Sequence, residues 1–159
     1  MERHDEVLVA LRQIIRAIDM HSKRLIKEAG LTAPQLLLLK GMAELGETSM
    51  RQLADHTNMS QATATTIMDR LESKGLVRRI RSEDDKRKVF ASLTEAGVTL
   101  LRDAPTPLQE HFIRRFKGLA QWEQTQLLSS LQRISAMMNA DAIDAAPVLS
   151  VHPLTDDQS

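Results

Sequence analysis

The sequence predicts a mainly α-helical chain, about six helices with one small β-hairpin. Three observations carry this expectation. Gly and Pro are scarce, six and five in 159 residues, so few points break the chain. Apolar residues recur mostly at the spacings of three and four that line one side of a helix. Only between 76 and 93 does the period change to two.

In chain order, residues 6–29 carry one apolar stripe of Val7, Leu11, Ile14, Ile18 and Leu25, with Leu8, Ile15, Ile26 and Ala29 beside it. A helix so broadly apolar needs more than one neighbour to cover it. Gly30 ends it as a left-handed residue. Three later starts share one chemistry, a Ser or Thr oxygen on a free N–H and a Gln three residues on that reaches back: Thr32 with Gln35, Ser49 with Gln52, Thr106 with Gln109. Pro34 and Pro107 stand in first turns, where a missing N–H costs nothing. Helices are thus expected from near 33, 50 and 107. A fourth follows Ser60 and runs to Gly75, and a fifth follows Thr94 to about 103, where Pro105 and Pro107 interrupt or kink it before 108–119. Between these two lies the hairpin: Val77 and Ile80 lead into the charged turn SEDDK, and then Val89, Ala91 and Leu93 alternate with Lys88, Phe90 and Ser92. A last amphipathic helix covers 122–138, with Leu127, Leu128, Leu131, Ile134 and Met138 on one face. The remainder, 141–159, has no helical period and reads as an acidic tail that need not be ordered.

Composition narrows the function. The length suits one domain, no apolar run approaches a membrane span, and the alternating charges of MERHDEVLVALRQ do not read as a secretory signal, so a cytoplasmic protein is expected. With no cysteine, disulfides and thiolate chemistry are excluded. Twenty-one bases balance twenty-one acids, but the balance is uneven. The tail holds Asp141, Asp144, Asp156 and Asp157 with no base, which leaves 1–140 with twenty-one bases against seventeen acids. The window 70–88 holds eight bases against four acids, a patch able to meet a polyanion. No glycine-rich phosphate loop, G-x-S-x-G or H-E-x-x-H occurs, so an enzyme is not expected. The five histidines form no i,i+4 pair, so neither a metal nor another cofactor is expected, and the eight methionines read as core filler.

Residues 50–75 carry the constellation that points to function. A short helix, MRQLADH, is followed by a break at 57–59, a Ser at 60 and a second helix. Leu53, Ala54, Met59, Ala64, Ile67 and Leu71 are small or apolar where two helices crossing steeply around a tight turn must touch, the spacing of a helix-turn-helix. Asn58 takes a turn position that favours the left-handed region. With Ala64, Ile67, Met68 and Leu71 inward, Ala62, Thr65, Thr66, Asp69 and Arg70 face out, and Gln61 and Thr63 flank the N-terminal end. Such a face suits the major groove of double-stranded DNA: Gln pairs with adenine, Thr and Ala methyls meet thymine methyls, and the Ser60 end offers N–H groups to a phosphate. The hairpin tip, with Lys86 and Arg87, adds a wing that reaches the backbone or minor groove.

The stretches SQATATTIMDRLESKGLVRR and RSEDDKRKVFASLTEAG resemble the winged-helix domain of the MarR family of transcriptional regulators, above all in Asp85, Arg87, Leu93-Thr94 and Gly97. The resemblance covers roughly 6–138. It implies that 1–30 and 104–140 supply dimerisation helices and that 31–103 is a DNA-binding winged helix-turn-helix. The expected protein is a homodimeric repressor of a palindromic operator, released by a small-molecule effector bound in a crevice between the two parts. Arg87 is then expected in the minor groove, Asp85 as the residue that orients the wing, and the face 60–70 in the major groove. Asp84, where the family often has Pro, departs from the pattern and adds negative charge near the tip. A weaker similarity, in AIDMHSKRLIKEAGLTAPQL, is to a branch linked to compatible-solute (ectoine) genes. His21, beside Arg24, reads either as a core or interface histidine or, with Arg24, as a ligand contact. Two other functions fit the same chain: a winged helix that binds protein, and a non-specific DNA binder, which the neutral net charge disfavours.

Overall fold

A computed structural model describes residues 1–151 and 154. Among them the chain forms α1 (Arg3–Ala29), α2 (Ala33–Leu45), β1 (Thr48–Ser49), α3 (Met50–His56), α4 (Gln61–Ser73), β2 (Val77–Arg81), β3 (Val89–Leu93), α5 (Glu95–Asp103), α6 (Leu108–Lys117) and α7 (Gln121–Met137). The result is a mainly helical chain with a winged helix-turn-helix at its centre.

Local chemistry sets most boundaries. The Thr32/Gln35 and Ser49/Gln52 boxes both close as the sequence predicts, each satisfying two free N–H groups. Ser60 Oγ accepts the Thr63 N–H at 3.1 Å and starts α4. Gly30 and Asn58 adopt positive φ, 66° and 53°, which ends α1 and turns α3 into α4. The third expected box, Thr106 with Gln109, does not form. Pro107 takes the cap position of α6 without a side-chain bond, and His21 Nε2 of α1 accepts the Leu108 N–H at 3.0 Å instead. A residue 87 positions away thus does the work expected of a neighbour, and Gln109 is left to bond elsewhere.

The hairpin of β2 and β3 acquires a third strand that the sequence reading does not contain. Thr48 and Ser49 pair antiparallel with Ala91 and Phe90, giving the order β1-β3-β2. Two residues are too few to show an alternating period. The base of the wing is locked at one close approach. Thr94 N–H donates to Leu76 O at 3.0 Å, Thr94 Oγ1 donates to Gly75 O at 2.6 Å, and Thr94 Oγ1 accepts the Gly97 N–H at 3.1 Å. A Cβ on Gly97 would stand 2.1 Å from the Leu76 carbonyl oxygen, so only Gly fits.

The core gathers around α2. Leu38 and Leu39 meet Leu53 of α3, Ala64, Met68 and Leu71 of α4, and Ala91 of β3, all buried. Ala54, where α3 and α4 cross, is buried too. The terminal helices contrast with this. α1 buries only Leu25, and among the described residues α6 and α7 bury none. Their apolar faces stand in solvent, with Ile15 at 53% exposure, Phe112 at 54%, Leu128 at 55% and Leu131 at 52%. Isolated apolar side chains on a surface are ordinary, but here each of three helices exposes several. After α7 the described tail is irregular, and residues 147 and 149 are hydrogen-bonded to α6. Asp156 and Asp157 lie outside the described residues. No described helix is long and apolar enough to cross a membrane.

Candidate nucleic-acid interface

α4 presents the face expected of it. Ala64, Ile67, Met68 and Leu71 are buried, Ser60, Gln61, Ala62 and Thr66 are exposed, and Thr63, Thr65 and Arg70 are half-buried. Hydroxyl groups along it are fixed: Ser60 Oγ donates to Thr63 Oγ1 at 2.8 Å, and Thr66 Oγ1 donates to Ala62 O at 3.1 Å. With its hydroxyl turned to the helix backbone, Thr66 offers chiefly its methyl group outward.

The wing tip, 82–88, is held by its own polar groups. Ser82 N–H donates to Lys88 O at 2.9 Å, Lys88 N–H to Asp85 O at 2.9 Å, and Asp85 N–H to Ser82 Oγ at 3.3 Å. Asp85 Oδ1 accepts both the Arg87 backbone N–H at 3.1 Å and its Nε–H at 3.3 Å. The Arg87 side chain is nevertheless 92% exposed. The carboxylate therefore sets the direction of the guanidinium without removing it from solvent. Lys86 is exposed beside it, and its carbonyl accepts from the Arg81 guanidinium at 3.0 Å.

Helix and wing are braced together by a residue that the sequence reading counts only as one base among eight. Arg79 of β2 bonds Asp69 Oδ1 at 2.5 Å and Glu72 Oε1 at 3.1 Å, and its backbone N–H reaches Glu72 Oε2 at 3.1 Å. The side-chain hydrogen bond from Arg79 holds the Glu72 carboxyl below its usual range, and the same bond raises Arg79. Lys74, another of the eight, is exposed but tied to neighbouring elements: Nζ donates to Gly30 O at 2.8 Å, at the end of α1, and to Gln35 Oε1 at 3.4 Å. Burial, then the charge of Arg70, lowers its pKa. The patch that DNA would meet is thus smaller than the sequence count. The bracing was not legible because acid and base stand seven and ten residues apart across a helix end.

A crevice of about 640 Å³ lies between α2, the end of α3, α6 and the tail. Leu37, Phe112, Ile113 and Val148 supply apolar walls; Lys40 is ion-paired to Glu110, and His56 to Glu44 at 2.7 Å. A small neighbouring cavity is lined by His21, Leu25, Leu108 and Leu149. Of the two residues expected to touch a ligand, His21 lies at this smaller cavity with its Nε2 engaged by Leu108, whereas Arg24 pairs with Glu28 at 2.9 Å and lines neither cavity. Among the described residues no group of three His, Asp or Glu side chains converges as a metal site.

Comparisons with known proteins agree with this geometry. Residues 31–89 match the model of the MarR family. The transcriptional regulator HosA of Escherichia coli O111:H- is 30% identical over 132 residues, spanning 82% of this chain and 96% of that protein. The homoprotocatechuate degradative operon repressor of Escherichia coli is 28% identical over 137 residues, 86% of this chain and 93% of its own. Among solved structures, BpsR of Bordetella bronchiseptica, whose DNA binding is regulated by 6-hydroxynicotinic acid, superposes with a TM-score of 0.55 at 26% identity, covering 82% of this chain and 98% of that one. These relatives are transcriptional regulators rather than enzymes.

Proposed function

We propose that this chain, which belongs to the MarR family of transcriptional regulators, is a homodimeric repressor of a palindromic operator, released when a small molecule binds the crevice beside α6. The observation that carries the reading is that the polar outer face of α4 and the exposed Arg87 stand on one unit, braced by Arg79 against Asp69 and Glu72. In this reading Gln61 reads a base edge, the methyl groups of Ala62, Thr63, Thr65 and Thr66 meet thymine, and Ser60 and Arg70 flank the backbone. Lys86 meets phosphate, and Arg87, oriented by Asp85, enters the minor groove.

The dimer is supported by the uncovered apolar stripes of α1, α6 and α7, which a second copy related by a two-fold axis would bury against their equivalents. To read a palindromic operator, such an axis must set two α4 helices about 34 Å apart, one turn of DNA. A ligand that binds better to a dimer with another spacing shifts the population away from the DNA-bound form. The regulation of BpsR by a small organic acid supports an effector of that size. The likeness of residues 17–36 to a compatible-solute branch makes those genes the proposed target, for which the test is whether neighbouring transcription follows external salt. The protein stays in the cytoplasm, on the nucleoid when DNA-bound.

A fluorescence-anisotropy titration against duplex from the upstream region, with random duplex as competitor, tests the reading. It predicts selective binding of two chains per site, a loss of about 1–3 kcal/mol for Arg87→Ala, and relaxed base preference for Gln61→Ala. Equal affinity for random DNA, or indifference to Arg87→Ala and to salt, would contradict it and favour a winged helix that binds protein.

A further inference from the structure

One side chain holds residues 147–149 along one edge of their backbone. Gln109 Nε2 donates to Pro147 O at 3.1 Å, and Gln109 Oε1 accepts the Leu149 N–H at 3.0 Å. A carboxamide has one such donor edge and one acceptor, so it pairs with an extended backbone as a neighbouring strand would. Between the two grips the Val148 N–H turns back to Ala146 O at 2.7 Å, and Val148 packs against the core. Although Asp141 and Asp144 precede it, the stretch 145–151, AAPVLSV, carries no charge. Its apolar side chains complete a crevice whose other walls include Leu37, Phe112 and Ile113. Leu149 lines both this crevice and the small cavity at His21, as do Leu37, Pro107 and Gln109.

We propose that 146–149 is a built-in strap across the crevice and that a small molecule enters by displacing it from Gln109. The inference rests on the crevice being the effector site. It also states the chemistry such a molecule needs. An apolar body replaces Val148 and Leu149, and a neutral group with adjacent donor and acceptor, a carboxamide or a protonated carboxylic acid, replaces the backbone that Gln109 holds. Gln109 is a positioning residue in this scheme. It is the second residue of α6, and the first, Leu108, is held by His21 of α1, so release of the strap acts where the two long-range partners α1 and α6 meet. Binding and strap release are then reciprocal: whatever loosens the strap tightens the ligand, and the reverse.

The test uses the full chain and two readouts, amide exchange at Leu149 and affinity for the dye anilinonaphthalene sulfonate. In the wild type the Leu149 amide exchanges slowly compared with the amides of 141–145. Gln109→Ala raises its exchange about tenfold or more while the amides of 36–39 in α2 keep their rates, and dye affinity rises several-fold. Val148→Asp, which leaves Gln109 intact, gives the same two changes and guards against a folding defect peculiar to the first variant. An unprotected Leu149 in the wild type, or dye affinity unchanged in both variants, overturns the strap. A strap that behaves as described beside DNA binding that no small molecule relieves would overturn the effector reading alone.

Discussion

Gly97→Ala should destabilise the fold at the base of the wing. The added Cβ would lie 2.1 Å from the Leu76 carbonyl oxygen, where the tightest contacts stand at 3.0 Å and ordinary ones begin at 3.4 Å, so α5 and the Leu76 backbone must separate by about 0.9–1.3 Å. That oxygen accepts the Thr94 N–H, and Thr94 Oγ1 in turn ties Gly75 O to the Gly97 N–H. Separation strains three hydrogen bonds, each contributing about 0.5–1.5 kcal/mol, and crowding of this kind costs about 1–3 kcal/mol. Against it, Ala gains up to about 1 kcal/mol over Gly in a helix. The net expectation is a loss of about 2–3 kcal/mol, a fall in Tm of about 5–10 °C for a chain of this length. Thermal unfolding by circular dichroism at fixed chain concentration reads it, because an associating protein unfolds at a concentration-dependent temperature. Gly118→Ala is the control: its Cβ would meet Arg115 O at 3.4 Å, an ordinary contact, and Tm should not fall. If Gly97→Ala unfolds at the wild-type temperature, the claim that this close approach locks the wing base is wrong.

Three further outcomes follow from the same geometry. Because Arg79 lowers the Glu72 pKa in the folded state, the stabilisation from this pair is present above the usual glutamate value of 4.5 and is lost as pH falls through the lowered value; the stability gap between wild type and Glu72→Gln should therefore close in acid, and a gap independent of pH would contradict the ion pair. Replacing Leu127 and Leu131 of α7 together by Glu should leave helicity intact and yield a monomer by light scattering, whereas an undisturbed dimer would place the interface elsewhere. His21→Phe removes the acceptor for the Leu108 N–H and should cost about 1–3 kcal/mol in urea unfolding; no loss would show that solvent satisfies this amide.

The sequence made legible what local chemistry determines. The caps at Thr32, Ser49 and Ser60, the left-handed Asn58, and the inward set of Ala64, Ile67, Met68 and Leu71 depend on residues within one or two turns of each other, and all stand where the spacing puts them. The fold class rests on such spacings together with the scarcity of Gly and Pro, and the family on a resemblance whose marks, Asp85, Arg87, Leu93-Thr94 and Gly97, also lie close together in the chain. The failures are all long-range. The T-x-x-Q pattern at 106–109 is locally sound, yet Pro107 takes the cap position, His21 arrives from α1, and the tail takes the Gln109 amide. β1 exists only because β3 offers an edge to two residues with no period of their own. Charge alone puts Arg79 and Lys74 in the basic window, but both bond within the fold, one bracing the wing to α4 and the other joining the end of α4 to the end of α1. No residue spacing reveals such pairings, since partners are chosen by the packing of elements rather than by their order in the chain.

In the proposed complex a two-fold dimer sets two α4 helices on one face of DNA, each with its wing. Hydroxyl-radical footprinting on the upstream duplex tests it most directly. Two protected segments are expected, with centres one helical turn apart, about 10–10.5 base pairs, flanked by minor-groove protection that Arg87→Ala removes. A single protected segment, or uniform protection that random competitor DNA abolishes, would contradict it.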